Sequence, residues 1–147
     1  MKYPLSYIID VVQHDNEHTI YQASDTVKIN HPNPCKELIF TCSNEYMDTG
    51  YLKNKYNYCN DMEQTEDIIM KGLLNINSQE RLVEQDFSFY SKRQPLAYHK
   101  NSGKGIGIYS FGSEVNKSQF AGYCNLSELA NVELKLKLAR TVSNNRP

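Results

Sequence analysis

The stretch Val132 to Leu138 reads VELKLKL and constrains the fold more than any other part of the chain. Successive side chains of an extended chain point to opposite faces, so Val132, Leu134, Leu136 and Leu138 share one side and Glu133, Lys135 and Lys137 the other. A strand with one apolar and one charged face needs neighbouring strands beside it and a second layer over its apolar face. The rest of the chain supplies candidates. Tyr7 to Gln13 (YIIDVVQ) is rich in β-branched residues, which fit a pleated surface. Thr26 to Asn30 alternates apolar and polar. Pro32 and Pro34 forbid a helix and lead into a strand over Glu37 to Cys42. A further strand is expected over Ile106 to Phe111, entered through the turn glycines Gly103 and Gly105. Asp67 to Ile76 (DIIMKGLLNI) is ambiguous between helix and strand, and Gly72 weakens the helical option by about 1 kcal/mol relative to alanine. Phe87 to Tyr90 is short and aromatic, residues 43–66 read as a long polar loop, and no internal repeat is present. Short antiparallel strands with one buried face predict an all-β sandwich or barrel.

Composition narrows the function classes. The chain has 147 residues, the length of one domain, and the expectation is a single domain over 1–147. With 39% hydrophobic and 22% charged residues, neither a membrane span nor a disordered chain is expected. No apolar run approaches the roughly 20 residues of a membrane helix, and Met1 to Pro4 is not followed by an apolar signal core, so the chain reads as intracellular and unprocessed. The net charge of -1 argues against non-specific nucleic-acid binding as the main role, and no direct nucleic-acid partner is expected. That total hides an asymmetry: residues 1–74 carry 6 Lys+Arg against 11 Asp+Glu, and residues 75–147 carry 10 against 6. Two solvated faces explain this most simply, and pairing within the fold or between subunits is the alternative.

The candidate chemistry is weak. His14-Asp15-Asn16-Glu17-His18 matches H-x-x-E-H, but a zinc hydrolase needs both histidines on one helical face, and Asp15-Asn16 between β-branched runs reads as a hairpin tip. Gly103 to Gly107 lacks the spacing of a phosphate-binding loop. Cys124 and His99 are a nucleophile–base pair only if the fold brings them together. The four cysteines, Cys35, Cys42, Cys59 and Cys124, lack zinc-ribbon spacing and read as free buried thiols. Asn116 and Asn125 sit in glycosylation sequons, which mean little without a signal peptide. The tyrosines from Tyr46 to Tyr58 could stack on sugars or bases, as in a carbohydrate-binding module, although a loop packed on its neighbours or a partner is the commoner reading. No catalytic, cofactor or metal residue is assigned, and no cofactor is expected.

The order of the motifs carries more than any one of them. Tyr7–Gln13, Asn30–Ile39 (NHPNPCKELI), Asn77–Arg81 (NSQER), Phe89-Tyr90, Gln94-Pro95-Leu96, Tyr98-His99, Gly105-Ile106 with Tyr109-Ser110-Phe111, and Gln119–Ser127 (QFAGYCNLS) follow one another before the alternating strand. In that order the chain resembles the major capsid protein of large eukaryotic DNA viruses, the double jelly-roll type of iridovirus-, phycodnavirus- and mimivirus-like particles. The resemblance is to its second, C-terminal jelly roll, with Ser78 where the family carries glycine. It implies an antiparallel jelly-roll β-sandwich with a purely structural, non-enzymatic role in an icosahedral capsid. It implies other capsid subunits as partners, in trimeric capsomers of pseudo-six-fold outline. The implied location is the virion, and the host cytoplasm during assembly. It also implies that the chain corresponds to one jelly roll of two, lacking a last strand or two beyond Pro147.

Overall fold

The computed structural model describes residues 9–44, 54–113, 115 and 122–139. Its largest sheet is built on the alternating stretch. That strand, β9 (Val132–Leu138), lies between β1 (Ser24–Lys28) and β4 (Ile69–Ile76), antiparallel to both. Val27 faces Leu134 on one side, and Leu74 faces it on the other. The sequence alternation becomes a burial alternation: Val132, Leu134, Leu136 and Leu138 are buried, while Lys135 and Lys137 are exposed. Two short strands, β5 (Gln79–Glu80) and β6 (Gln85–Asp86), both pair with β4.

The ambiguous stretch is therefore a strand. Pairing with β9 sends Gly72, Leu74 and Ile76 to the inner face and Lys71, Leu73 and Asn75 to the outer one. The register slips between Ile69 and Lys71, so Met70 bulges out and is half-exposed. Gly72 has a packing reason: an added Cβ would lie 3.0 Å from Tyr90 Cε2, and Tyr90 Oη donates a hydrogen bond to the Gly72 carbonyl at 3.1 Å.

Two smaller sheets face the first. In one, β3 (Glu37–Thr41) pairs with β7 (Ile106–Ser110), setting Leu38 opposite Tyr109 and Phe40 opposite Gly107. The Phe40 ring lies over Gly107, where an added Cβ would stand 2.5 Å from Phe40 Cζ. In the other, β2 (Pro34–Cys35) pairs with β8 (Cys124–Asn125), and Pro34 stands first in its strand. The core between the layers joins the β9 leucines, Ile69 and Leu74 to Tyr109, Phe87, Tyr90 and Leu126, with Leu38 and Phe40 packed against it. Phe40 meets Tyr90 and Phe87 edge to face, at centroid distances of 5.5 and 6.3 Å. Burying each large side chain of this kind contributes about 1.5–3 kcal/mol.

Two stretches depart from the strand reading. Residues 9–13 form no ladder, and no regular structure appears from 9 to 21. Ile9, Val11 and Val12 are exposed there, Val12 at 97%. High β-propensity makes a strand only where a neighbouring edge accepts it. His14 to His18 is accordingly not the tip of a hairpin but part of an extended arm, and residues 7 and 8 lie outside the described ones.

The second departure is the aromatic stretch. It opens a π-helical turn (Phe89–Arg93) that runs into α1 (Gln94–Tyr98), with Pro95 in its first turn. A π turn brings residues five apart onto one face, so both Tyr90 and Pro95 are buried. This helical piece is tied to the small sheet. Gln94 Oε1 accepts from the Ser110 amide at 3.2 Å, and His99 Nε2 lies 2.8 Å from Glu37 Oε2. A single 3-10 turn (Leu126–Glu128) delivers buried Leu126 to the core between β8 and β9.

Candidate assembly surface

Among the described residues, the outer face of the large sheet carries a cluster of paired charges. Lys137 Nζ lies 2.6 Å from Glu84 Oε1, and Lys71 Nζ lies 3.5 Å from Glu84 Oε2. The alternation of β9 and the pairing with β4 put both lysines on this face, and Lys135 shares it. The Lys137 ammonium beside Glu84, with Lys71 behind it, holds that carboxyl below its usual range. Such an exposed pair adds little stability, so its value lies in orienting charge. Lys137 is thus engaged within its own chain.

The extended arm is the second surface. Asp10 Oδ1 lies 2.6 Å from Lys36 Nζ, Asp15 Oδ2 3.2 Å from His31 Nε2, and His18 Nε2 3.1 Å from Asp25 Oδ2. The Asp25 carboxyl also accepts from the Thr26 amide, and these contacts hold it below its ordinary range. Residues 9–18 therefore touch the sandwich through polar groups while Ile9, Val11 and Val12 face solvent, and Ile20 beyond them packs against the core.

The loop before β4 organises itself. Asp61 accepts from the Thr65 and Glu66 amides and from Thr65 Oγ1, at 2.6 to 3.0 Å. The Thr65 hydroxyl, with those amides, holds the carboxyl at about 2. Buried Asn57 accepts from the Cys59 amide and donates to the Asp61 carbonyl. Lys104 Nζ donates to the Gln64 carbonyl at 3.0 Å, which fastens the loop to the turn before β7. Gly105 serves that turn with φ +73, and the Tyr58 carbonyl occupies the space a side chain would need.

Placed in the fold, the candidate residues do not converge. His14, Glu17 and His18 lie on the extended arm and share no helical face, and among the described residues no group of three His, Cys, Asp or Glu side chains is arranged to hold a metal. His99 is engaged by Glu37, whereas Cys124 faces Cys35 across the β2–β8 pair. Gly103 to Gly107 is the expected turn into a strand, not a phosphate loop before a helix. Of the tyrosines from Tyr46 to Tyr58, Tyr46 and Tyr51 lie outside the described residues, Tyr56 is exposed, and Tyr58 packs its backbone on Gly105. Asn116 lies outside them too, and Asn125 Oδ1 accepts from Ser127 Oγ at 2.7 Å. The Glu37–His99 contact links the acidic and basic halves, while Lys71–Glu84 links them with the signs reversed. The two halves are not a simple electrostatic pair. Among the described residues, no helix is long and apolar enough to cross a membrane. Sequence reasoning missed the helical piece and the facing cysteines, because neither a π turn nor a cross-strand register has a signature in a single sequence.

Comparison with known proteins defines the class. The fold is that of viral jelly-roll capsid proteins. Superposition on the PBCV-1 virus capsid gives a TM-score of 0.67 at 20% identity, covering 84% of this chain and 35% of that one. The Faustovirus major capsid protein gives 0.66 at 12% identity, covering 85% of this chain and 29% of that one. A family model described as "Large eukaryotic DNA virus major capsid protein" matches residues 1–146. The chain belongs to that family. It is 22% identical to "Probable capsid protein 4" of Acanthamoeba polyphaga mimivirus, over 99% of this chain and 30% of that protein. It is 32% identical to the "Major capsid protein" of Chrysochromulina ericina virus over 75 residues, half of this chain and 13% of that protein. The chain thus spans about a third or less of the length of these relatives. Neither the geometry nor these relatives support a zinc hydrolase or a carbohydrate-binding module.

Proposed function

We propose that the chain is a structural protein of an icosahedral viral capsid and forms one jelly-roll domain over residues 1–147, equivalent to the C-terminal jelly roll of the family. The observation that carries this reading is the family match over nearly the whole chain, on a sandwich of the same fold. The domain works by shape and surface. Its stiff two-layer core presents strand ends, loops and a charged sheet face to neighbouring capsid subunits, in capsomers of trimeric type. That role calls for no catalytic, metal or cofactor residue, and among the described residues no group is arranged to hold a metal. It assembles in the host cytoplasm and resides in the virion, with no direct contact to nucleic acid.

The test is quantitative mass spectrometry of purified virions. The chain is expected among the virion proteins in a fixed ratio to the major shell protein. Its absence from virions that carry the shell protein would overturn the reading.

A further inference from the structure

Cys35 and Cys124 stand directly opposite each other in the antiparallel β2–β8 pair. Residues so placed have Cα atoms about 4.5–5.5 Å apart. That lies inside the roughly 4.4–6.8 Å window of a disulfide. Both thiols are free and half-buried, and both pack against the core. The other two cysteines have different surroundings: Cys59 is buried and faces Asp67 across a bridge, and Cys42 lies just past β3 with its thiol toward the Ser43 carbonyl. We propose that Cys35 and Cys124 are a thiol–disulfide site, closed by small-molecule disulfides of the glutathione class and opened by dithiols.

The surroundings order the two steps. Burial pushes both thiols up, Cys35 to about 11, while the Arg81 guanidinium pulls Cys124 back down. Cys124 is therefore the first thiolate to form. It attacks one sulfur of the small disulfide, forms a mixed disulfide and releases one small thiolate, which takes up the proton Cys124 lost. Cys35 Sγ, now donating to the Glu37 carbonyl at 3.1 Å, then turns toward Cys124. It loses its proton and attacks the Cys124 sulfur, and the second small thiol leaves with that proton. Two protein thiols and one small disulfide become one protein disulfide and two small thiols.

Closure would convert the short β2–β8 pair into a covalent clamp. The loop it closes runs from Cys35 to Cys124 and takes in β3, β4 and β7, so it restricts the unfolded chain strongly. Such a bond stays open in a reducing compartment and closes in an oxidising one.

The experiment treats the purified full chain with oxidised glutathione and maps cysteine linkages by peptide mass spectrometry, with differential alkylation of the unmodified protein as a second readout. The expected product is one intramolecular Cys35–Cys124 bond, with Cys42 and Cys59 still alkylatable after unfolding. The melting temperature is expected to rise by roughly 10 °C, reversibly with dithiothreitol. Cys124→Ser should abolish both changes, and Cys42→Ser should leave them intact. A stable glutathione adduct on Cys124 without the cross-link, or a bond through Cys42 or Cys59, would overturn the assignment. If Cys124→Ser does not fold, the linkage map of the unmodified chain decides alone.

Discussion

The β9 strand and the arm at residues 9–13 are both expected as strands and end differently. The arm is rich in β-branched residues, whereas β9, with one Val among Leu, Lys and Glu, has little β-propensity and owes its signal to strict alternation. In β9 every apolar side chain is buried, because β1 and β4 flank it and the aromatic layer covers it. In the arm Ile9, Val11 and Val12 stay in solvent, and the contacts to the body are polar: Asp10 to Lys36 and, further on, Asp15 to His31. Pattern and propensity make a segment eligible to be a strand. Edges on both sides and a layer above make it one. Strict alternation implied a layered sheet, and β9 forms one; the β-branched run over Tyr7 to Gln13, interrupted by Asp10, suggested a strand that residues 9–13 do not form.

The largest expected effect breaks the comparison at its centre. Leu134→Ala removes side-chain volume from the middle of the core and is expected to cost about 2–5 kcal/mol in denaturant unfolding. Val12→Ser on the arm should stay within about 0.5 kcal/mol in the same measurement. Equal losses would mean that the arm is as structural as β9. A smaller effect is expected opposite Phe40. Gly107→Ala places a methyl against that ring and should cost about 1–3 kcal/mol, and adding Phe40→Leu should recover part of it in a double-mutant cycle. The smallest change is a gain. Asn77 and Ser78, at φ 52 and 61, form the tight turn between β4 and β5. Left-handed backbone is strained for serine, so Ser78→Gly should add about 0.5–1 kcal/mol, read as a higher melting temperature.

These comparisons also explain how much of the molecule was readable in advance. The span of β9 was legible residue for residue, and β3 and β7 to within one, because each carries its own periodicity or turn punctuation. β1 was displaced by two residues, since nothing local marks where its edge meets β9. The helical piece was not legible. Phe87, Phe89 and Tyr90 are residue types that favour strands, and the helical piece that forms instead buries both Tyr90 and Pro95 in the core. The charged sheet face was half legible. The side of the sheet holding Lys135 and Lys137 followed from alternation, but their partner Glu84 arrives from a connection between two short strands whose pairing with β4 no local pattern announces.

The π turn also bears on how a chain of this kind tolerates changes of length. Tyr90 and Pro95 share a face because they are five residues apart in a turn that closes over five. Removing exposed Lys92 would leave them four apart in an ordinary α-helical turn, still in phase. A one-residue loss inside β9 would instead send every leucine beyond it to the charged side. The same fold thus holds a place where a residue can be lost silently and a place where it cannot, and deletions in related chains should collect at the first and avoid the second.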